Sequence, residues 1–178
     1  MNEIMGRPIT GDSTSKKDNF SFPEQYDEKR FLDELDALFA SDDTLQAIQW
    51  SQYTPYFNDG EPCEFSASED EAPLVFGGVP EYYIAYPGDY DEDDLEGMTF
   101  KSSYNIRPEG NWVWSDDGKR VFEPAPGEVE TDLYKAYSIF FGNLEAGHFE
   151  VVIRQNFGEH ARVIATREGF VVEYYDHD

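Results

Sequence analysis

Carboxylates are the side chains of this sequence that are most able to do chemistry, and eighteen of them lie between Phe31 and Phe100. The same seventy residues contain no Lys, Arg or His. Carboxylates can transfer protons, bind hard cations or attract a basic surface. The eighteen are Asp33, Glu34, Asp36, Asp42, Asp43, Asp59, Glu61, Glu64, Glu69, Asp70, Glu71, Glu81, Asp89, Asp91, Glu92, Asp93, Asp94 and Glu96.

The densest acidic segment does not have the pattern of a calcium loop. Counted from Asp89, acids stand at positions 1, 3 and 5. Position 6, where an EF-hand requires glycine, is Asp94, and position 12, where it requires glutamate, is Phe100. We therefore predict no specific metal site.

Other catalytic constellations are also missing from the sequence. Cys63 lies beside Glu64 without the positive neighbours that activate a thiolate, which favours a half-buried structural cysteine. His148, His160 and His177 do not have zinc-binding spacing, and no nucleophile elbow, P-loop or dinucleotide fingerprint occurs. We predict no catalytic residues and no cofactor, so the chain is not expected to be an enzyme.

The one-sided charge instead predicts a partner, namely a basic protein surface that ordinarily binds nucleic acid. Duplex DNA carries one charge per roughly 1.7 Å of axis, so eighteen carboxylates would match on the order of 30 Å of duplex. The chain would then mimic nucleic acid and inhibit a nucleic-acid-binding host or defence protein. The predicted contact residues are Glu69, Asp70, Glu71, Asp89, Asp91, Glu92, Asp93, Asp94 and Glu96, with Tyr53 and Tyr56 as partly exposed aromatics.

Composition excludes several other classes of protein. Aromatic residues make up 16% of the 178 residues, which is more than a disordered acidic chain contains. Direct binding of nucleic acid is not expected, because cations for phosphates are absent from the acidic half. The single cysteine and the lack of a signal peptide or membrane span favour a bacterial or phage-infected cytoplasm, with no membrane partner.

The elements that would carry these residues indicate an α+β fold. Residues 1–20 are polar and non-periodic and are predicted to be a flexible tail, followed by a single domain over 21–178. Apolar residues at helical spacing predict helices over 23–40 and 128–146. We expect the two helices to pack on a mainly antiparallel sheet of hairpins.

The strands are predicted from aromatic and β-branched runs between turn signals. One hairpin joins 46–57 to 61–66 through an Asn-Asp-Gly turn, and another joins 112–114 to 120–122. Short strands are expected at 74–76 and 82–86, and a three-strand meander at 149–155, 162–166 and 170–175 completes the sheet.

One motif in the first hairpin resembles a known family. The run Gln-Tyr-Thr-Pro-Tyr-Phe-Asn-Asp-Gly-Glu-Pro-Cys-Glu-Phe, at 52–65, is similar to a motif of uncharacterised bacterial and phage proteins. The ending, 169–178, also resembles that family. The resemblance implies a bacterial or phage source and brings no activity, cofactor or catalytic residue.

Two alternatives to the nucleic-acid mimic remain open. The chain could be an acidic accessory protein whose charge serves only solubility or a salt-rich environment. It could also be an enzyme without a recognisable motif, which would require a pocket with converging polar groups.

Overall fold

A seven-stranded sheet forms the centre of the computed structural model, which describes residues 2–11, 24–55, 63–79 and 95–174. The strands are β1 (Asn2–Ile4), β2 (Arg7–Gly11), β3 (Leu45–Tyr53), β4 (Ser66–Phe76), β5 (Thr99–Lys101), β8 (Ala161–Thr166) and β9 (Phe170–Tyr174), in the spatial order β1-β2-β9-β8-β3-β4-β5. Only the β2–β9 pair is parallel among these described strands. A separate hairpin consists of β6 (Gly110–Trp114) and β7 (Arg120–Pro124).

The described residues form four helices: α1 (Glu28–Ala40), α2 (Ser103–Ile106), α3 (Asp132–Glu145) and α4 (Glu150–Phe157). The two long predicted helices are present, but each begins later than its apolar pattern suggested. The reason is capping: Asp27 accepts a hydrogen bond from the backbone of Arg30, and Thr131 accepts one from that of Tyr134.

The helices pack on one face of the sheet around a cluster of aromatic rings. Phe31 of α1 is fully buried and contacts Trp50 of β3, with ring centroids 6.3 Å apart, and Phe149 before α4, at 5.2 Å. A smaller cluster of Ala47, Val75 and Ile164 lies on the opposite face. The predicted α+β class, with helices on a mainly antiparallel sheet, is confirmed.

The start of the chain differs from the predicted flexible tail. Residues 2–11 contribute β1 and β2 to the sheet, and Ile4 and Ile9 are buried in the main core. A tight turn joins the two strands, with positive φ at Met5 and Gly6. The segment has too few apolar residues for a periodic signal, yet these two isoleucines are enough to anchor it. The rest of the predicted tail, residues 12–20, lies outside the described residues.

The predicted three-strand meander is correct only for its last two strands. β8 and β9 pair as expected, whereas the segment 149–155, predicted as a strand, lies mostly in helix α4. Its Val-Val-Ile run favours a strand by propensity. Phe149, Ile153 and Phe157, spaced four residues apart, are all buried, and this helical face decides the structure.

The two predicted hairpins differ in how much of each is described. The β6–β7 hairpin is confirmed, and its Trp114 pairs with Arg120. β3 and β4 also pair, while their Asn-Asp-Gly turn and the predicted strand 82–86 lie outside the described residues. The predicted short strand 74–76 is the end of the longer β4. No described helix has both the length and the apolar character needed to cross a bilayer.

Candidate functional site

The acidic triplet Glu69–Glu71 lies where a bulge of β4 begins. Trp50 pairs with Glu69 and Ile48 pairs with Leu74, so residues 70–73 stand opposite the single residue Gln49. Gln49 is fully buried, and its Nε2 donates a hydrogen bond to the carbonyl of Ala72 at 3.3 Å. A bulge redirects side chains and interrupts regular pairing, which is common beside functional sites.

Glu69 pairs with Trp50 across the two strands, and both side chains lie on the helix-covered face of the sheet. Burial, together with the negative charges of Glu145 and Asp70, raises the pKa of its carboxyl to about 7. Its Oε2 is buried and has no hydrogen-bond partner among the described residues. Glu69 is therefore only partly ionised near neutral pH.

Asp70 lies on the other face of the sheet, where it accepts a hydrogen bond from Ser51 Oγ at 3.1 Å. Burial raises the pKa of its carboxyl to about 7, although the Ser51 hydrogen bond and the charge of Arg162 act in the opposite direction. Its Oδ2 is buried without a hydrogen-bond partner within the described ranges. Only Glu71 of the triplet is exposed.

A pocket of about 570 Å³ lies at the C-terminal end of α3, where Glu145 is found. Its other lining residues come from the ends of β3, the segment before β4, and α4 with its flanking turns: Thr54, Cys63, Glu64, Phe65, Ala146, Gly147, Glu150, Arg154 and Glu159. Of the ten lining residues, with Glu145 included, four are glutamates and one is an arginine. The pocket is therefore an acidic concavity, and we call it the acidic pocket.

Arg154 organises the wall of the acidic pocket. Its Nη1 lies 2.9 Å from Glu150 Oε1, and its Nη2 lies 2.8 Å from Glu159 Oε1. The guanidinium also lies 5.0 Å from the ring centroid of Phe65, and Thr54 Oγ1 donates a hydrogen bond to Glu159 Oε1 at 2.9 Å. These contacts fix the side chain and neutralise its charge within the wall.

Glu150 is the most buried acid of the acidic pocket, with 8% of its side chain exposed. It stands at the first position of α4, one turn before Arg154, so the helix itself brings the pair together. Burial raises the pKa of Glu150, the Arg154 hydrogen bond and charge lower it, and the nearby charges of Glu159 and Glu64 raise it.

Cys63 differs from its predicted half-buried position. It is exposed and lines the acidic pocket next to Glu64. Cys63 precedes β4, which begins only at Ser66, so this residue is not part of the sheet as predicted.

The two remaining predicted contact residues that the structure describes, Glu96 and Tyr53, lie near opposite ends of β4. Glu96 is exposed at the far end of β4 from the acidic pocket, where the backbone of Gly97 packs against Gly77. Tyr53 is half-buried at the end of β3. Tyr56 and the acids Asp89, Asp91, Glu92, Asp93 and Asp94 lie outside the described residues.

The basic residues of the described chain are engaged within the molecule. Of the 13 Lys and Arg residues, all but Lys16 and Lys17 are described. Six of them form ion pairs, namely Arg7, Lys29, Arg30, Lys119, Lys135 and Arg154. Three lie over aromatic rings, namely Lys101, Arg107 and Arg120. Arg162 lies near Asp70, and Arg167 donates hydrogen bonds to backbone carbonyls. The described cations are thus matched by contacts within the molecule.

Exposed acids without an ion pair in the described chain occur on several elements. They are Glu3, Glu24, Asp27, Asp43, Glu64, Glu71, Glu96, Glu109, Asp116, Glu123, Glu128, Glu145 and Glu168. Glu64 and Glu145 are the ones that meet at a concave surface. The acidic pocket and the β4 bulge, linked by the repulsion between Glu145 and Glu69, form the candidate functional site.

Within the described ranges, no three His, Cys, Asp or Glu side chains are grouped so that they could hold a metal ion. Comparison of the chain with protein-family models, curated proteins and solved structures gives no match. The resemblance at 52–65 therefore stays a prediction.

Sequence reasoning missed the acidic pocket for an identifiable reason. Glu150 and Arg154 are four residues apart, which is an ion-pair signal only on a helix. The Val-Val-Ile run predicts a strand, in which these two side chains would not form such a pair. Glu145 and Glu159 carried no signal that distinguished them from the other acids.

Proposed function

We propose that this protein is an acidic interaction module that binds a basic protein surface, of the kind that otherwise holds a nucleic-acid backbone. The observation that carries the proposal is the imbalance of charge available to a partner. Each described Lys and Arg has an intramolecular contact, while thirteen described carboxylates are exposed without an ion pair.

Electrostatic attraction of this kind acts mainly on association. A strongly negative surface speeds capture of a positive partner, and the effect weakens with ionic strength. Exposed carboxylates retain their solvent until contact, so they contribute more to steering than to the final affinity. The candidate site supplies what scattered charges lack, namely a concave acidic surface of defined shape.

The test is capture of proteins from a bacterial lysate on the immobilised chain, at low and at high salt, with and without competing duplex DNA. We expect nucleic-acid-binding proteins to be retained at low salt and released by either high salt or DNA, because DNA and the acidic surface would compete for the same basic groove.

Two variants that remove equal charge separate a specific surface from simple net charge. Glu64→Gln, Glu71→Gln and Glu145→Gln together neutralise the candidate site, and Asp116→Asn, Glu123→Gln and Glu128→Gln neutralise the hairpin region. Loss of capture in the first variant alone supports the candidate site. The proposal is contradicted if both variants lose capture equally, or if the natural chain captures no protein that DNA displaces. Either result favours an accessory protein whose charge has no specific partner.

A further inference from the structure

We propose that two copies of this chain associate by pairing their β6 strands edge to edge, which joins the two β6–β7 hairpins into one four-stranded antiparallel sheet. The inference is independent of the proposed function, because β6 shares no residue with the acidic pocket or the β4 bulge. It assigns an interaction surface and its occupant, a second copy of the chain.

The outer edge of β6 presents backbone groups that no described strand pairs with. The Ser115 N–H donates to the Lys119 carbonyl at 2.8 Å across the hairpin. Hydrogen-bonded pairs recur at every second residue, so the odd-numbered residues of β6 bond to β7. The N–H and C=O groups of Trp112 and Trp114 therefore point away from β7, where the described part of the chain places no further strand. Such an edge is a template for another strand.

The other described sheet edges are blocked, whereas the β6 edge is not. β1 and β5, at the edges of the large sheet, are only three residues long. β7 carries Arg120, Glu123 and Pro124. Short strands, charged side chains and proline are the usual means of preventing an edge from pairing. β6 has the sequence Gly-Asn-Trp-Val-Trp and contains neither charge nor proline.

β6 also exposes two large aromatic side chains that a second copy would cover. Trp112 is 47% exposed and Trp114 is 74% exposed. Arg120 lies 5.3 Å from the ring centroid of Trp112, and Phe122 packs edge-on against the same ring. Exposed aromatic side chains beside an open sheet edge are typical of an interaction surface.

The sequence of β6 is complementary to itself in one antiparallel register. With Val113 on the two-fold axis, Trp112 stands opposite Trp114 of the second copy. Asn111 then stands opposite Ser115 of the second copy, so aromatic, apolar and polar residues each meet their own kind. The outward backbone groups of Trp112 and Trp114 would form hydrogen bonds between the copies, because they fall on hydrogen-bonded pairs of this register.

The other face of the joined sheet is also matched. Val113 pairs with Val121 of β7, so the two copies would place four valines in one row across the sheet. Shifting the register by two residues instead sets Val113 against Asn111 or Ser115 of the second copy, which loses this row.

Charge favours a second copy at this edge. The chain carries a net charge of −25, so two copies can approach closely only where neither brings carboxylates to the contact. β6 has none, and no like charges stand opposite each other along it. The blocked β7 edges would lie outermost, so the assembly closes as a two-fold dimer and does not extend into a fibre.

Analytical ultracentrifugation of the full chain over a range of concentrations tests the inference. We expect a monomer–dimer equilibrium that shifts toward the dimer between about 0.02 and 0.5 M NaCl, because screening reduces repulsion between the copies. Trp114→Thr keeps a strand-forming residue and should raise the Kd of the dimer about tenfold or more, since each dimer contains the change twice. Val129→Thr changes an apolar residue of similar exposure, 76%, outside the hairpin and should leave the Kd unchanged.

Two sedimentation results overturn the inference. One is a chain that stays monomeric at high concentration and high salt. The other is a dimer that Trp114→Thr and Val129→Thr weaken equally.

Disulfide cross-linking tests the register. In a Cys63→Ser background, Val113→Cys places two thiols opposite each other on the two-fold axis, where oxidised glutathione should join the copies covalently. Val121→Cys lies on the same face but one strand farther from the axis, and it should remain largely monomeric on denaturing gels. A dimer in which Val113→Cys does not cross-link, or in which both positions cross-link equally, overturns the proposed pairing.

Discussion

At the scale of single residues, environment separates acids that look identical in the sequence. Glu69, Asp70 and Glu71 are consecutive, but only Glu71 is exposed. Glu69 lies near the charge of Glu145 on one face of the sheet, Asp70 accepts a hydrogen bond from Ser51 on the other, and burial raises the pKa of both carboxyls to about 7. The triplet therefore contributes less negative charge to a partner at neutral pH than its sequence suggests.

The raised pKa values of Glu69 and Asp70 predict that stability falls as pH rises. In the unfolded chain both groups ionise with ordinary pKa values near 4, while the folded chain holds its protons up to about pH 7. The two protonated groups therefore contribute their full share to the free energy of unfolding below pH 4. This contribution is lost as the pH rises through 7. Allowing for solvent screening, we expect the loss between pH 5 and pH 8 to be on the order of 2 kcal/mol.

Chemical denaturation of the Glu69→Gln, Asp70→Asn double variant at several pH values measures this effect. The variant should lose less free energy of unfolding than the natural chain between pH 5 and pH 8. Glu71→Gln, which removes an exposed carboxylate from the same triplet, is the matched control. Parallel pH profiles for the natural chain and the double variant would contradict the assigned pKa values.

At the scale of elements, the chain start shows how few residues can hold a strand in place. β2 pairs in parallel with β9, where Ile9 stands opposite Phe170. Gly11 lies so close to the Val172 carbonyl that a side chain at position 11 would clash with it. The segment therefore depends on two buried isoleucines and one glycine, and its composition alone resembles a loose terminus.

Replacing Ile4 with alanine tests whether β1 and β2 belong to the core. Ile4 is fully buried, so Ile4→Ala should lower the free energy of unfolding by about 2 to 5 kcal/mol. Met5→Ala, at a side chain that is 61% exposed, should change it by less than about 0.5 kcal/mol. Similar small effects at both positions, measured by chemical denaturation, would restore the interpretation of a flexible tail.

The local sequence signals of the individual elements explain which parts of the fold could be predicted from the sequence. α1, α3 and the β6–β7 hairpin carry strong local signals, namely apolar stripes and a turn, and all were expected. α4 could not be distinguished because its β-branched residues favour a strand, whereas burial of Phe149 and Phe157 against the aromatic core selects the helix. The acidic pocket depends on α4 and was missed with it.

At the scale of the whole molecule, self-repulsion opposes the compact state. The chain carries 38 acids against 13 Lys and Arg residues, for a net charge of −25. Folding brings these charges together, whereas unfolding separates them. Exposed ion pairs such as Lys29–Asp33 and Lys119–Asp117 offset little of this, since each contributes about 0 to 1 kcal/mol.

Moderate salt should therefore stabilise the protein, because screening reduces repulsion more than it weakens the few exposed ion pairs. Between about 0.02 and 0.2 M NaCl we expect a gain of about 1 kcal/mol, or about 3 °C in Tm, by thermal denaturation. The Asp116→Asn, Glu123→Gln, Glu128→Gln variant should show a smaller increase. A Tm that falls with salt would mean that ion pairs outweigh repulsion. If the chain stayed unfolded until molar salt was added, the result would favour the alternative of a protein adapted to a salt-rich environment. Folding at low salt would leave the unbalanced carboxylates free to attract a partner, which the interaction module requires.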